Sequence, residues 1–239
     1  MSYNFDEIIP RNGTWSVKFG LQKEKFGTAD LLPMWVADMD FRTPHFITDA
    51  VKKRASHEIY GYTYRPNEYY KSIVYWIKKQ HSWDIKREWI TFCPGVVPAL
   101  NLTIMAYTNP GDKVIVQPPV YFPFFSAVKN NNRKLINNQL LYNNGKYTID
   151  YKNLEKEAAT GAKLILLSNP HNPVGRVWTK EELEKLAGIC INYNILIISD
   201  EIHSDLILPG NKHIPIARIS ENIANHVVTC LEPCMLLRG

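Results

Sequence analysis

The stretch LILLSNPHNPVGRVW, residues 164–178, opens as an apolar run and then breaks into two Asn-Pro pairs, Asn169-Pro170 and Asn172-Pro173, followed by Gly175. One such pair is enough to make a turn. The doubled signal asks for a second reason, and the flanking residues supply its setting. Directly after it, Thr179-Lys180-Glu181-Glu182 is a capping box. Leu183, Leu186, Ala187, Cys190 and Ile191 follow at helical spacing and predict a helix over residues 180–193. ILIISD (195–200) is then a second short apolar run. Strand, turn, helix and strand make a βαβ unit, whose parallel strands are apolar on both faces because both are covered.

The same pattern extends outward. WITF (89–92), KVIVQ (113–117) and, more weakly, VVTC (227–230) read as further strands. Helices are predicted over 150–159, ended by Gly161, and over 96–107, where Pro98 is tolerable because it lies in the first turn. The asparagine-rich segment 130–146 reads as exposed turns around a strand. Strands alternating with helices imply right-handed crossovers and a three-layer α/β/α sandwich on a mostly parallel sheet. Residues 1–45 differ: NGTWSVKFG and LLPMWVADMDFRTP have little periodicity and read as an arm, in which Trp15, Trp35 and Phe41 are packing residues. Helices over 44–56 and 67–80 lead from the arm into the sheet domain, taken as residues 46–239.

Composition excludes several classes. With 239 residues, 45% of them hydrophobic, the chain can bury a sizeable core. Its formal charge of +5 is scattered among acids, in segments such as KKRASHE, which argues against a nucleic-acid stripe. Neither a signal-peptide pattern nor an apolar run of about 18 residues is present, so a cytoplasmic protein without a membrane partner is expected. The four cysteines form no CxxC pair and read as free thiols, with no metal site.

In open parallel sheets ligands sit outside the carboxyl ends of the strands. After Phe92 comes Cys93-Pro94-Gly95 and a helix start, a phosphate-binding arrangement that is weak alone. After Gln117 comes PPVYFPF, where Tyr121 begins a helix and its ring is either a stacking plate or a core residue. After Ser199 come Asp200 and His203. A carboxylate at the end of an apolar strand either caps a helix or meets something cationic. Together the strand ends offer a phosphate site, an aromatic plate, an amide donor and a buried anion, which suit a phosphorylated, protonated aromatic ring.

At this point the chain resembles the fold-type-I pyridoxal-phosphate enzymes of the class I/II aminotransferase superfamily, through SNPHNPVGRVW, SDEIHSDL and PPVY. The strings RNGTWSVKF, LLPMWVADMDF and HIPIARIS resemble its cystathionine β-lyase and cysteine-S-conjugate β-lyase branch. The resemblance spans residues 5–230 and implies pyridoxal 5'-phosphate as cofactor. It implies that Asn172 donates to the cofactor's phenolic oxygen, which answers why two prolines flank it. It further implies that Asp200 pairs with the pyridine nitrogen, Tyr121 stacks on the ring, and Gly95, Val96 and Val97 bind phosphate through backbone amides. His203 lies near the phenolic oxygen. Tyr62 reaches the phosphate of a neighbouring subunit in a homodimer, and Ala37 and Asp38 lie over an amino-acid substrate. The implied activity is carbon–sulfur β-elimination releasing thiol, pyruvate and ammonia. An aminotransferase and a non-catalytic remnant are the alternatives.

One member of the set is missing. Family chemistry needs a Schiff-base lysine in a segment resembling TC-x-x-PSKTFN, and this chain reads TCLEPCMLLRG. Without gaps, Cys234 stands at the serine, Met235 at the lysine and Arg238 at the asparagine. Lys212, the one lysine after Asp200, sits in the polar turn LPGNKH and is no substitute. Residues 232–239 are therefore expected to be an altered tail on a shortened product lacking the small domain, and no catalytic residue is assigned.

Overall fold

The computed structural model describes residues 3–231 and 235–238. The chain divides into two compact units, Met1–Tyr64 and Arg65–Gly239, later in the sequence than the 45/46 division expected above. Cys234 lies outside the described residues, and Met235 and Arg238 enter only as strand positions.

The first unit holds α1 (Val17–Gly20), α2 (Gln22–Phe26) and α3 (His45–Ala55), the last within one residue of its predicted ends. Among its described residues the two buried ones are polar, Lys18 and Gln22. Ion pairs organise it instead of a core. Arg11 bridges Asp38 and, at 2.7 Å, Asp40, while the Lys18 Nζ donates to Asp40 at 2.7 Å and to the Asp38 carbonyl at 3.0 Å. Lys18 and Arg11 hold the Asp40 carboxyl below its usual range. Trp35 fits its expected packing role, donating its indole N–H to the Lys18 carbonyl at 3.0 Å and setting its ring edge-on to Phe26. Phe41 is edge-on to Phe5. Trp15 is a correction: it is 98% exposed at φ 59°, so the turn that carries it aims the ring away from its own unit.

The second unit is built as its strands predict. It runs α4 (Asn67–His81), a 3-10 turn at Arg87–Trp89, β1 (Ile90–Phe92), α5 (Val96–Tyr107), β2 (Lys113–Val116), α6 (Pro123–Asn130) and β3 (Lys134–Asn137). A hairpin of β4 (Leu141–Asn143) and β5 (Lys146–Thr148) follows, then α7 (Tyr151–Ala158), β6 (Leu164–Ser168), α8 (Lys180–Asn192) and β7 (Leu196–Asp200). A 3-10 turn at Ile216–Arg218, α9 (Glu221–Ala224), β8 (Val227–Leu231) and β9 (Met235–Arg238) complete it. Tyr121 does not begin α6: Pro123 is its first residue, because proline's fixed φ and missing N–H suit a first turn.

The sheet order is β1-β9-β8-β7-β6-β2-β3, parallel throughout except for β9, which is antiparallel to both neighbours. Within the segment expected to be an altered tail, residues 235–238 form β9, antiparallel between β8 and β1. Strand alternation separates two cores. Val114, Val116, Leu164, Leu166, Ile198, Val228 and Cys230 pack with α5 and α6. Ile115, Ile165, Leu167, Ile197 and Val227 pack with α4, α7 and α8 on the opposite face. These are the three expected layers. The capping box forms as read: Thr179 accepts from the Glu182 N–H, and Glu182 accepts from the Thr179 N–H.

Candidate active site

After β2 the chain leaves on the α5/α6 face to form α6 and reaches β3, whereas after β6 it leaves on the other face to form α8 and reaches β7. Neighbouring strands whose connections diverge leave a crevice at their carboxyl ends. The two prolonged strand exits meet across that crevice. The Tyr121 N–H donates to the Asn172 carbonyl at 3.0 Å, and His171 bonds the Pro119 carbonyl through Nε2 at 2.9 Å.

The doubled Asn-Pro signal has a physical use here. The Ser168 hydroxyl donates to the Pro170 carbonyl at 3.0 Å and accepts from the Asn172 N–H at 3.2 Å, so the loop folds back onto the end of its own strand. The Trp178 indole N–H closes the loop's far side on the Ser168 carbonyl at 2.9 Å. The Pro118-Pro119, Asn169-Pro170 and Asn172-Pro173 peptide bonds are all cis. With its main chain so held, the Asn172 side-chain amide makes no hydrogen bond among the described residues. Ser168 heads the string SNPHNPVGRVW but was given no role there, and its position as the last residue of β6 was the available clue.

Asp200 ends β7, is 6% exposed and lies level with Ser168 on one side and Cys230 on the other. By alternation it shares the face of Ile198, the α5 face. Its Oδ1 accepts from the Ile202 N–H at 3.1 Å, a local turn bond in place of a helix cap. α5 packs over β6, β7 and β8, with Gly95 at its N-cap. Gly95 has φ +138°, which only glycine adopts readily. Because Pro98 has no N–H, the first turn offers its free donors at Val96 and Val97. Cys93, just before this turn, and Cys230, beside Asp200, are both buried. Burial first, then the nearby Asp200 carboxyl, the Cys93 thiol and Glu201, drive the Cys230 thiol well above its ordinary value. The sulfur environment thus ties the β1 exit to the Asp200 neighbourhood.

Register and face therefore bring Gly95, Val96, Val97, Tyr121, Asn172 and Asp200 to one edge of the sheet. Tyr121 is 37% exposed, and its neighbour Phe122 tilts against it with ring centroids 5.1 Å apart. His203 is half-buried, and burial lowers its pKa. It lines a cavity of about 610 Å³ between the Asn-Pro loop, the β4–β5 hairpin and the 206–211 loop. The remaining expected residues belong to the first unit. There Asp38 is bound by Arg11, and Tyr62 is fully exposed. Lys212 is exposed in its turn, as expected.

Residues 29–231 match the family described as Aminotransferase class I and II. The chain belongs to that family. It is 48% identical over 231 residues to cystathionine beta-lyase PatB of Bacillus subtilis, with 96% of this chain and 60% of that protein covered. To protein MalY of Escherichia coli it is 32% identical over 220 residues, 91% and 56% respectively. A solved PLP-bound putative aminotransferase from Clostridium difficile 630 superposes with a TM-score of 0.95 at 48% identity, over 99% of this chain and 64% of that one. Cystalysin from Treponema denticola, which contains a pyridoxal 5'-phosphate cofactor, gives 0.94 at 38% identity, over 100% and 64%. The family member thus spans about 60% of the length of these relatives.

The site's donor set fits pyridoxal phosphate in every part except the lysine. A buried carboxyl at a strand end, an unengaged amide on the loop leaving the neighbouring strand and a glycine-led helix start are complementary in kind to a pyridinium nitrogen, a phenolic oxygen and a phosphate.

Proposed function

We propose that the chain carries the cofactor-binding part of a pyridoxal-phosphate-dependent carbon–sulfur β-lyase acting on cystathionine or cysteine S-conjugates, with thiol, pyruvate and ammonia as products. The carrying observation is the shared face: Asp200 and the Ser168-anchored Asn172 loop end neighbouring strands beneath the start of α5. Asp200 would keep a proton on the ring nitrogen, Asn172 would donate to the phenolic oxygen with His203 nearby, and Tyr121 would cover the ring. The amides of Gly95, Val96 and Val97 would take the phosphate at the positive end of α5. When bound there, pyridoxal phosphate supplies the electron sink that stabilises negative charge at a substrate's α-carbon.

The 48% identity to the cystathionine beta-lyase PatB named above supports the lyase over an aminotransferase. In the same reading the assembly is a cytoplasmic homodimer in which Tyr62 reaches the neighbouring subunit's phosphate. Ala37 and Asp38 cover the amino-acid substrate, the Asp38 carboxylate being held by Arg11. Met235 stands at the expected lysine position. This chain by itself is therefore a non-covalent cofactor binder without turnover, which is the second reading in its strongest form.

The test is titration of the chain with pyridoxal phosphate, followed by absorbance and tryptophan quenching. Saturable binding is expected, with Asp200→Ala weakening it about tenfold or more, the loss of a hydrogen bond to a charged group. Borohydride should attach nothing to the chain, and cystathionine should yield no pyruvate. Binding that ignores Asp200→Ala sinks the site, and an adduct on Lys212 sinks the non-covalent reading. Restoring a lysine at 235 and recovering pyruvate without added keto acid would favour lyase over aminotransferase.

A further inference from the structure

Asp200 is the last β7 residue with partners in the ladder, facing Ser168 and Cys230. From 201 until the 3-10 turn at Ile216–Arg218 the chain runs without strand or helix. Backbone bonds still hold the peptide that follows Asp200, its carbonyl accepting from the Asn169 N–H at 2.9 Å and the Glu201 N–H donating to Cys230, but they leave open what fixes it from the far face of the sheet. The next residue, Glu201, projects to the opposite face and is completely buried. Its Oε1 accepts from the Ser199 hydroxyl at 2.9 Å and from the Ile216 N–H at 3.2 Å, and its Oε2 meets the His213 Nε2 at 2.9 Å. Its own N–H donates to the Cys230 carbonyl at 2.9 Å.

These partners come from four places: β7 itself, β8, the loop before Ile216 and the Ile216–Arg218 turn. His213 is further packed edge-on against His81 of α4, with ring centroids 5.3 Å apart, and His81 bonds Asp205 at 3.1 Å. The Trp76 indole N–H reaches the same Asp205 at 2.6 Å. The Asn169 side-chain amide donates to the Ile214 carbonyl at 3.1 Å, joining the Asn-Pro loop to the same segment. A buried carboxyl is stable only where its acceptors are filled, so these donors define one place for Glu201. Because strand alternation fixes one side chain relative to the next, that place also defines where Asp200 points.

We infer that Glu201 is the positioning residue for Asp200, clamping the peptide between them from the far face of the sheet. This deepens the cofactor reading above and rests on it for its effect on binding, but its geometric part can be measured without cofactor. The comparison is of Glu201→Ala with Glu201→Gln, whose amide keeps acceptors for Ser199 and Ile216 and a donor for His213 in its other tautomer. Without cofactor, exchange of the Ile202 amide, which Asp200 Oδ1 accepts, is expected to rise about tenfold in Glu201→Ala and to stay near the parent in Glu201→Gln. With pyridoxal phosphate, Glu201→Ala should weaken binding about tenfold and move the pH at which the bound cofactor's absorbance changes, while Glu201→Gln restores both.

Should the parent fail to bind pyridoxal phosphate, the cofactor reading falls and the Ile202 exchange still decides the clamp. Should Glu201→Ala not fold, Ser199→Ala removes one donor alone and is expected to move both readouts the same way, by about threefold. A folded variant that melts earlier yet keeps the parent's Ile202 exchange and absorbance profile overturns the inference, since a merely structural glutamate would do that.

Discussion

The two units use the same amino acids to opposite ends. In Arg65–Gly239 the strands β2, β6, β7 and β8 bury their leucines, isoleucines and valines on both faces, under helices on either side. In Met1–Tyr64 no apolar residue is buried among the described residues, while Leu32 and Met34 are 86% exposed and Ile8 is 93% exposed. Its order comes from Arg11, Lys18, Asp38 and Asp40 and from edge-on aromatic pairs. Exposed ion pairs contribute about 0–1 kcal/mol each, far below what a continuous core supplies. A segment can be rich in tryptophan, methionine and phenylalanine and still lack a core if the spacing puts them on no common face.

That contrast can be broken most decisively by amide exchange. The amides of Ile165 and Ile197 should open only with global unfolding, about 5 kcal/mol or more above those of α1–α3. Comparable protection in α3 would show that the first unit has a stability of its own. Truncation sharpens the same point. Leu166→Ala should cost about 2–5 kcal/mol in urea denaturation, whereas Leu32→Ala should stay within about 0.5 kcal/mol.

A pH series probes the loop that joins core to site. His171 is buried, its ring edge-on to Trp178, and desolvation brings its pKa down to about 4 from 6.5. The unfolded chain therefore takes up the proton first, and stability falls as pH drops from about 6.5 to about 4. The loss from this one group is on the order of 3 kcal/mol and is complete below its folded value. Denaturant midpoints at pH 7.5, 5 and 4 should show the slope, and His171→Gln should remove the part due to this ring, leaving the smaller part from His203. The smallest expected effect is at the helix start. Thr179→Ala, which removes the cap on the Glu182 N–H, should cost about 1 kcal/mol by the same measurement.

Much of the second unit was legible because its signals are local. The runs at 164–168 and 195–200 became β6 and β7, the latter starting one residue later, and 96–107 became α5 at the same ends. The site was legible as residue types at strand ends, and register then placed Asp200, Ser168 and Cys230 level with one another. Trp15 was misread because aromatic content says nothing about which way a turn aims a ring. The strand at 235–238 was missed because its partners, β1 and β8, lie far from each other in sequence, and only the sheet brings them together.

The amino-acid order by itself determined the buried parallel strands, which residues end them and which chemistry those residues can hold, because periodicity and turn composition act over a few neighbours. Only tertiary structure decided that Asp200 and Glu201, adjacent in the chain, serve opposite faces. One looks toward the start of α5 and the other into a clamp of Ser199, His213 and Ile216. That division arises from the pleat, which sends successive side chains to opposite sides and leaves long-range packing to settle what each side meets.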